Sequence, residues 1–315
     1  GGTFQFNVSH WTSFAAQDNS ISACGNITQN TILNGSVTSS GSCFNFTGDN
    51  VFLNCNWTTI TYDTSGLGNV SAIQATGRRN VTIRNCVIID TTGSGSFGLG
   101  INFTGTNNSF ILHSTLQTNG TTADYGVLLR NSNSNTLLAN IIRTQGDGSN
   151  NYGVYLNVNV NDSVIANNTI ITNGTNANYG IIFFGATIAT NNTIANNTIR
   201  TGGTSGNNNG VTVFGAHGNV VVGNTIFTNG TASNYGIRFQ GSDNNTAVNN
   251  TIRTFGSGGP NTGIYITNEA DAGDVGVYVA SILLTFGIVT PLIWQMRTTT
   301  IEGDVVRIMP KEEPE

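Results

Sequence analysis

The chain has 315 residues, only 9% of which are charged, and its formal net charge is −5 at pH 7. Lys311 is its single lysine, so the sequence offers no basic stripe and excludes nucleic acid as a partner. Forty glycines and many Asn, Ser and Thr residues are typical of disorder, but a regular alternation of apolar residues predicts a packed core instead.

Residues 1–45 precede the regular part of the sequence and are predicted to form an N-terminal cap. Cys24 and Cys43 flank the stretch GNITQNTILNGSVTSSGS, and a disulfide between them would close this cap. The alternative is that the cysteines remain buried free thiols. A metal site is disfavoured, because the chain has no CxxC pair and no neighbouring histidine cluster.

Residues 46–268 contain an internal repeat, whose Asn-Asn-Thr-Ile phrase returns about every 26–29 residues. A second series of glycines follows each phrase, and the residues after each glycine alternate between apolar and other types, as in YGVYL and YGIRF. A period of two predicts a strand with one buried face. The glycine series is Gly100, Gly126, Gly153, Gly180, Gly210, Gly236 and Gly263.

Each repeat therefore predicts two short strands on either side of an Asn turn, then a variable loop and a third strand. One repeat cannot bury its inward residues alone, so the copies must stack as coils in parallel register. Stacked Asn side chains can donate to and accept from one another. The predicted Asn ladder consists of Asn140, Asn168, Asn197, Asn224 and Asn250.

Cys55 and Cys86 occupy the same position of neighbouring repeats, in FLNCNWT and IRNCVII. Adjacent coils lie within the roughly 4.4–6.8 Å between Cα atoms that a disulfide tolerates. We therefore predict the pairs Cys55–Cys86 and Cys24–Cys43, which indicate an oxidising compartment outside the cytosol.

With this repeat over roughly residues 45–268, the chain resembles the right-handed parallel β-helix repeat proteins, a superfamily that includes pectate-lyase-like and NosD-like domains. The stretch from Cys24 through Asn56 also resembles the first coil of archaeal-type secreted surface β-helix proteins. The resemblance implies an all-β, right-handed parallel β-helix solenoid. It implies little about function, because this architecture hosts lyases, hydrolases, adhesins and spacers.

The chain contains many Asn-x-Ser/Thr sequons, which an Asn- and Thr-rich repeat also produces by chance. Those in the phrase TNGT are the best candidates for N-glycosylation, because this loop is expected to be exposed. They are Asn119, Asn173 and Asn229.

The C-terminal part differs from the repeats. After a short linker at 269–274, residues 275–296 are uncharged and rich in Val, Ile and Leu, which predicts one membrane-spanning helix. The alternative is a further β-coil. Arginines follow the span and acidic residues precede it, so we expect residues 297–315 to form a cytoplasmic tail and the solenoid to lie outside.

The sequence does not indicate a catalytic or metal site. Seven aspartates of the repeats are scattered among coil positions and are expected to be solvated: Asp49, Asp63, Asp90, Asp124, Asp147, Asp162 and Asp243. NosD-like relatives are sometimes linked to copper, but His10, His113 and His217 form no His/Met/Cys cluster. We therefore assign no cofactor.

Two outward series could contact ligands. Arg143, Arg200 and Arg253 repeat in IIRT and TIRT, and they predict either a solvated face or a stripe for anions or acidic glycans. Four tyrosines precede ladder glycines, where stacking serves packing or forms a sugar-binding platform: Tyr125, Tyr152, Tyr179 and Tyr235.

These observations favour a non-enzymatic cell-surface glycoprotein, a rigid β-helix that serves as adhesin, spacer or envelope component. Its expected partners are the membrane, glycans or other envelope proteins, and further copies of itself. One alternative is a polysaccharide-active β-helix enzyme, a lyase or hydrolase, which a carboxylate cluster on one exposed face would indicate. The other is a subunit of an extracellular filament or sheath.

Overall fold

The computed structural model describes residues 19–91, 95, 97–184, 189–267 and 305–307, and every regular element among them is a β-strand. The strands form three parallel sheets, A, B and C, and the chain passes from one to the next in every coil. This is the right-handed type of parallel β-solenoid predicted from the repeat.

Sheet A carries the strand before each Asn turn. Its strands, in spatial order, are β1 (Asn19–Ile21), β3 (Thr31–Leu33), β6 (Phe52–Asn54), β9 (Thr82–Arg84), β12 (Phe110–Leu112), β15 (Thr136–Leu138), β18 (Val164–Ala166), β21 (Thr193–Ala195), β24 (Val220–Val222) and β27 (Thr246–Val248). Sheet C carries the strand after the turn: β4 (Val37–Thr38), β7 (Thr59–Tyr62), β10 (Val87–Asp90), β13 (Thr115–Thr118), β16 (Ile141–Gln145), β19 (Thr169–Gly174), β22 (Thr198–Gly203), β25 (Thr225–Gly230) and β28 (Thr251–Gly256).

Sheet B follows the variable loop of each coil. Its strands are β2 (Gly25–Ile27), β5 (Phe44–Phe46), β8 (Ser71–Thr76), β11 (Leu99–Thr104), β14 (Tyr125–Arg130), β17 (Tyr152–Asn157), β20 (Ile181–Phe184), β23 (Val211–Phe214), β26 (Tyr235–Gln240), β29 (Thr262–Thr267) and the antiparallel β30 (Val305–Arg307). The strands β1 to β5 already pair in parallel, so the solenoid extends N-terminally beyond the predicted boundary at residue 46.

The core consists of columns of apolar side chains, in which the residues at one inward position of successive coils lie above one another. Val154, Ile181 and Phe183 are fully buried, as the alternation predicts, and each stacks on its equivalent in the next coil. The glycines of sheet B permit this packing, because a Cβ on Gly153 would clash with Ile170 Cγ2 and would lie 2.6 Å from the carbonyl oxygen of Gly180. Any larger residue would force the walls of the solenoid apart.

The polar corners are satisfied by repetition. Asn168 donates from Nδ2 to Asn197 Oδ1 at 3.0 Å and to the carbonyl oxygen of Leu137 at 2.9 Å, while its own Oδ1 accepts from Asn140. The same pattern continues through Asn224 to Asn250. This is the arrangement that lets a buried amide meet both its donor and its acceptor needs.

Both predicted disulfides are formed, Cys24–Cys43 and Cys55–Cys86. The predicted span at 275–296 lies outside the described residues, as do the linker and all of the predicted tail apart from Val305–Arg307. The described residues contain no helix long and apolar enough to cross a membrane. The anchor and its topology therefore stay a prediction.

Candidate functional site

The outer surface of sheet B carries most of the tyrosines of the solenoid. We call it the tyrosine face and define it by Tyr125, Tyr152, Tyr155, Tyr179, Tyr235 and Tyr265 with Arg130 and Arg238. The strand register brings Tyr125 beside Tyr152, and Leu128 beside Tyr155. The repeat therefore converts tyrosines about 27 residues apart in sequence into neighbours on one surface.

Three of the four predicted tyrosines form a continuous stack. The ring centroids of Tyr125 and Tyr152 are 5.0 Å apart and those of Tyr152 and Tyr179 are 5.3 Å apart, with nearly parallel planes. Tyr155 meets the first two edge-on at 5.0 and 5.3 Å. Offset and edge-to-face contacts of this kind stabilise aromatic pairs, so the platform is rigid before any ligand arrives.

The stack is interrupted after Tyr179. The next coil has the buried Asn209 in the equivalent place, and its side chain accepts from the backbone N–H of Tyr235 at 2.9 Å and donates to Thr212 Oγ1 at 3.1 Å. Tyr235 then stacks on Tyr265 with centroids 4.4 Å apart. A notch one coil wide therefore separates two aromatic groups.

Arg238 lies beside this notch. Its guanidinium carbon is 5.7 Å from the ring centroid of Tyr235, and its charge also acts on the Tyr179 hydroxyl across the notch. Among the described residues, Arg238 has no acidic partner within ion-pair distance. An unpaired guanidinium between aromatic rings is suited to a planar carboxylate.

Burial raises the pKa of the tyrosine hydroxyls on this face, to about 12 for Tyr125 and upward for Tyr152, Tyr155 and Tyr179. These hydroxyls therefore stay protonated at neutral pH and can donate hydrogen bonds. They are not poised to act as bases.

The charged residues of the described strands are distributed unevenly. The one acidic residue in a strand whose burial is described, Asp90, points inward. The charged residues that point outward from these strands are arginines: Arg84, Arg130, Arg143, Arg200, Arg238 and Arg253. The charged side chains on the described sheet surfaces are therefore positive, although the net charge of the chain is −5.

The prediction that the aspartates are solvated is wrong for three of them. Asp63 and Asp124 are fully buried and Asp90 is 2% exposed. Asp90 and Asp124 approach the same spot, since a Cβ on Gly98 would lie 3.1 Å from Asp90 Oδ2 and 3.0 Å from Asp124 Oδ1. Together with Tyr62 they form what we call the acidic corner.

The acidic corner disfavours ionisation of its carboxyl groups, because they are buried and close to one another. Asp124 accepts from the backbone N–H of Gly98 at 2.8 Å, but burial and then Asp90 and Asp63 raise its pKa to about 7. Burial also raises the pKa of Tyr62, whose hydroxyl has no hydrogen-bond partner in the described part of the chain. The corner is inside the solenoid, so it is not the exposed carboxylate cluster of a glycosidase.

The other candidate residues are spread over the surface. Asn173 and Asn229 are exposed and Asn119 is half-buried, and their glycosylation stays a prediction. His217 accepts at Nδ1 from the backbone N–H of Asp243 at 2.9 Å, and Asp243 Oδ2 lies 3.3 Å from the same nitrogen.

Comparison with known proteins places the repeats in a family. The family model of NosD, described as a periplasmic copper-binding protein, matches residues 53–257. The chain belongs to the NosD family. No curated protein sequence matches the chain.

Solved structures share the fold at low sequence identity. The periplasmic alginate epimerase AlgG is 12% identical with a TM-score of 0.53, over 83% of this chain and 76% of that one. The mannuronan C-5 epimerase AlgE4 A-module of Azotobacter vinelandii is 12% identical with a TM-score of 0.37, over 73% and 69%. DFA-IIIase from Arthrobacter chlorophenolicus A6 is 9% identical with a TM-score of 0.44, over 82% and 80%.

These comparisons correct the main functional prediction. The predicted non-enzymatic adhesin, spacer or envelope component is the wrong assignment: the matching family is described as periplasmic, and AlgG, with which the chain shares its fold at a TM-score of 0.53, is named as an alginate epimerase. The periplasmic family and the two disulfides agree on an exported protein.

Copper, which the description of the family names, does not fit the described residues. Copper sites use His, Cys and Met ligands, but all four cysteines are in disulfides. His113 and His217 lie on different coils, and no three His, Cys, Asp or Glu side chains in the described ranges converge as metal ligands would. We derive no chemistry from copper.

Proposed function

We propose that the protein is an exported, polysaccharide-active β-helix that binds an acidic polysaccharide along the tyrosine face. The observation that carries this proposal is Arg238, a guanidinium without an acidic partner in the described structure, held beside Tyr235 at the notch that separates it from the stacked tyrosines. The stacked tyrosines offer their ring edges and hydroxyls to sugar rings, and the arginine offers a partner to a sugar carboxylate.

The dimensions of the face match a polymer. Equivalent residues of neighbouring coils are about 4.8 Å apart, close to the length of one sugar unit in an extended chain. A polysaccharide that runs along the solenoid axis can therefore present one ring to each coil. Tyr125, Tyr152 and Tyr179 would contact successive rings, and Arg238 would receive a carboxylate two coils further on.

The same arrangement supports chemistry on a uronate sugar. Pairing the carboxylate with Arg238 makes the adjacent C–H bond more acidic, and both elimination and epimerisation begin when a base takes that proton. The tyrosine face would supply the stabilisation of charge, and we assign no base to it. The protonated tyrosine hydroxyls can donate hydrogen bonds to the developing negative charge. Similarity to the alginate epimerase AlgG in fold supports the same class of substrate.

The test combines binding with product analysis, using polygalacturonate and alginate as acidic polymers and dextran as a neutral one. We expect the full chain to bind the acidic polymers more tightly. Arg238→Gln should weaken this binding about fivefold to tenfold and leave dextran unchanged. Arg84→Gln, on sheet A, is the matched control and should have no effect.

Product analysis then assigns the activity. New ultraviolet absorbance indicates a lyase, new reducing ends without absorbance indicate a hydrolase, and altered uronate stereochemistry by NMR indicates an epimerase. Failure of the wild-type chain to bind or change either acidic polymer would refute the proposal.

A further inference from the structure

A second outward surface of the solenoid, on sheet C, carries arginines in register. The strand pairing aligns Arg143 with Ile171, then Arg200, Phe227 and Arg253 on consecutive coils. We call Arg200, Phe227 and Arg253 the arginine column. Arg143 lies on the same line but is separated from the column by Ile171.

The arginine column is arranged by an aromatic ring. The guanidinium carbon of Arg200 is 4.9 Å from the ring centroid of Phe227, and that of Arg253 is 5.7 Å from the same centroid. A ring with a guanidinium on either side restrains both side chains, which lowers the entropy that binding must remove. The two charges are therefore presented in a fixed position.

The charges of the column are not neutralised by the protein. The ion pairs of the described residues are Arg78–Asp49 and His217–Asp243, and neither involves sheet C. No acidic side chain points outward from the described strands of this sheet. Two unpaired cations, two coils apart with Phe227 between them, create a local positive potential on a chain whose net charge is −5.

Hydrogen-bonding groups lie on both sides of the column. One side has a row of threonines and the other has amide side chains followed by the exposed ring of Phe255. The threonines are Thr169, Thr198, Thr225 and Thr251, and the amides are Gln145, Asn173 and Asn229. Hydroxyls, amides and an aromatic ring around a charge are suited to a polar, ring-containing anion.

We infer that the arginine column is a second binding surface for the acidic polysaccharide, separate from the tyrosine face. This inference rests on the proposed function, because it takes the same class of polymer. The spacing of the coils again determines how the polysaccharide would lie, because Arg200 and Arg253 are two coils, about 10 Å, apart along the axis. A polyuronate lying along the axis would place carboxylates at both, and a compact anion would reach only one.

The experiment uses the full chain, produced without N-glycosylation because Asn173 and Asn229 border the column. Binding of polygalacturonate and dextran is measured at low and physiological salt. The test variant is Arg200→Gln with Arg253→Gln. Arg143→Gln, an arginine of the same sheet outside the column, is the matched control, and Arg238→Gln reports on the tyrosine face.

We expect the double variant to lose about tenfold in polygalacturonate affinity at low salt and to show a weaker salt dependence than the wild type. The double variant should bind dextran like the wild type, and adding Arg238→Gln to it should reduce polygalacturonate affinity by the same factor as in the wild type. Arg143→Gln should change affinity less than about twofold. The pair Arg200→Lys with Arg253→Lys, which keeps the charges, should retain most of the binding.

Each outcome separates the two proposals. If Arg238→Gln weakens polygalacturonate binding but the double Gln variant binds like the wild type, the inference about the arginine column is overturned and the proposed function is not. Equal losses for the Gln and Lys pairs would show that charge is not the basis of binding and would also overturn it. Absence of any polyuronate binding by the wild-type chain would overturn both.

Discussion

The early and late coils of the solenoid occupy the same corner positions with different chemistry. In the late coils, the corner before the tyrosines is a column of amides, Asn151, Asn178, Asn208, Asn234 and Asn261, each bonded to the next. In the earlier coils, that column continues as Asp124 and then Gly98. The Asn ladder likewise gives way to Ser114 and then to the Cys55–Cys86 disulfide.

The difference shows what repetition provides. An amide column satisfies its donors and acceptors because every coil supplies the same group to the next. Where the repetition ends, the chain relies on a covalent bond and leaves carboxylates in the interior. At these corners the late coils are therefore uniform, while the early coils contain buried carboxylates.

The largest expected effect on stability comes from placing a buried carboxylate, as found in the early coils, in the Asn ladder of a late coil. Asn197→Asp removes the Nδ2 that donates to the carbonyl oxygen of Ile165 and to Asn224 Oδ1, and it adds a buried charge. We expect a loss of at least about 3 kcal/mol in the free energy of unfolding, measured by urea denaturation at neutral pH.

The neighbouring Asn196→Asp is the matched control for this change. Asn196 is exposed and has a φ of 55°, a conformation that Asp tolerates. It should cost less than about 0.5 kcal/mol. Equal effects of the two variants would show that the ladder contributes nothing of its own.

Removing the covalent link of the early coils should have the next largest effect. Cys55→Ser with Cys86→Ser opens a loop of 31 residues, and we expect a loss of about 2–4 kcal/mol in the free energy of unfolding. The measurement is thermal or urea unfolding of the double variant against the wild type without reductant. An unchanged stability would mean that the backbone hydrogen bonds between these coils, such as the one from the N–H of Cys55 to the carbonyl oxygen of Arg84, already hold them together.

The smallest expected effect is a change in pH dependence. Asp124 has a pKa of about 7 in the folded protein, above its unfolded value, so its contribution to stability is full below about pH 4 and is lost as the pH rises to about 7. The free energy of unfolding should therefore fall with rising pH within that window. Asp124→Asn, which extends the amide column by one residue, should remove this slope and stabilise the protein at pH 8.

The contrary result for Asp124→Asn would be equally informative. If the difference in unfolding free energy between variant and wild type were the same at pH 4 and pH 8, the carboxyl of Asp124 would not be responsible for the slope. The corner would then be ionised throughout this range.

The coils could be predicted from the sequence because the same short pattern, weak in one copy, recurs in every repeat. The alternation after each glycine identified the strands of sheet B, and the recurring Asn placed the ladder. The boundary at 268 stays a prediction, because the residues that follow β29 are not described. The solenoid begins earlier than predicted, because its first coils lack the Asn-Asn-Thr-Ile phrase.

The acidic corner was missed, although the sequence contained a signal for it. Asp124 precedes Tyr125 as Asn151 precedes Tyr152, so DYG stands where other coils have NYG. Asp90 follows Ile88 by two residues, as Thr144 follows Ile142, which places it on an inward column of sheet C. Loops of different length between these landmarks conceal the alignment, and Asp in a loop is ordinarily solvated.

The central claim, polysaccharide binding on the tyrosine face, is tested most directly by hydroxyl-radical footprinting of the full chain with and without polygalacturonate. Side-chain oxidation would be read by mass spectrometry. Oxidation of Tyr152, Tyr155 and Tyr179 should fall when the polymer is present, because the bound sugar rings cover them. Trp57, which is 59% exposed on a corner away from sheet B, should be oxidised equally in both samples. Unchanged oxidation of the three tyrosines under conditions where the polymer is bound would contradict the account.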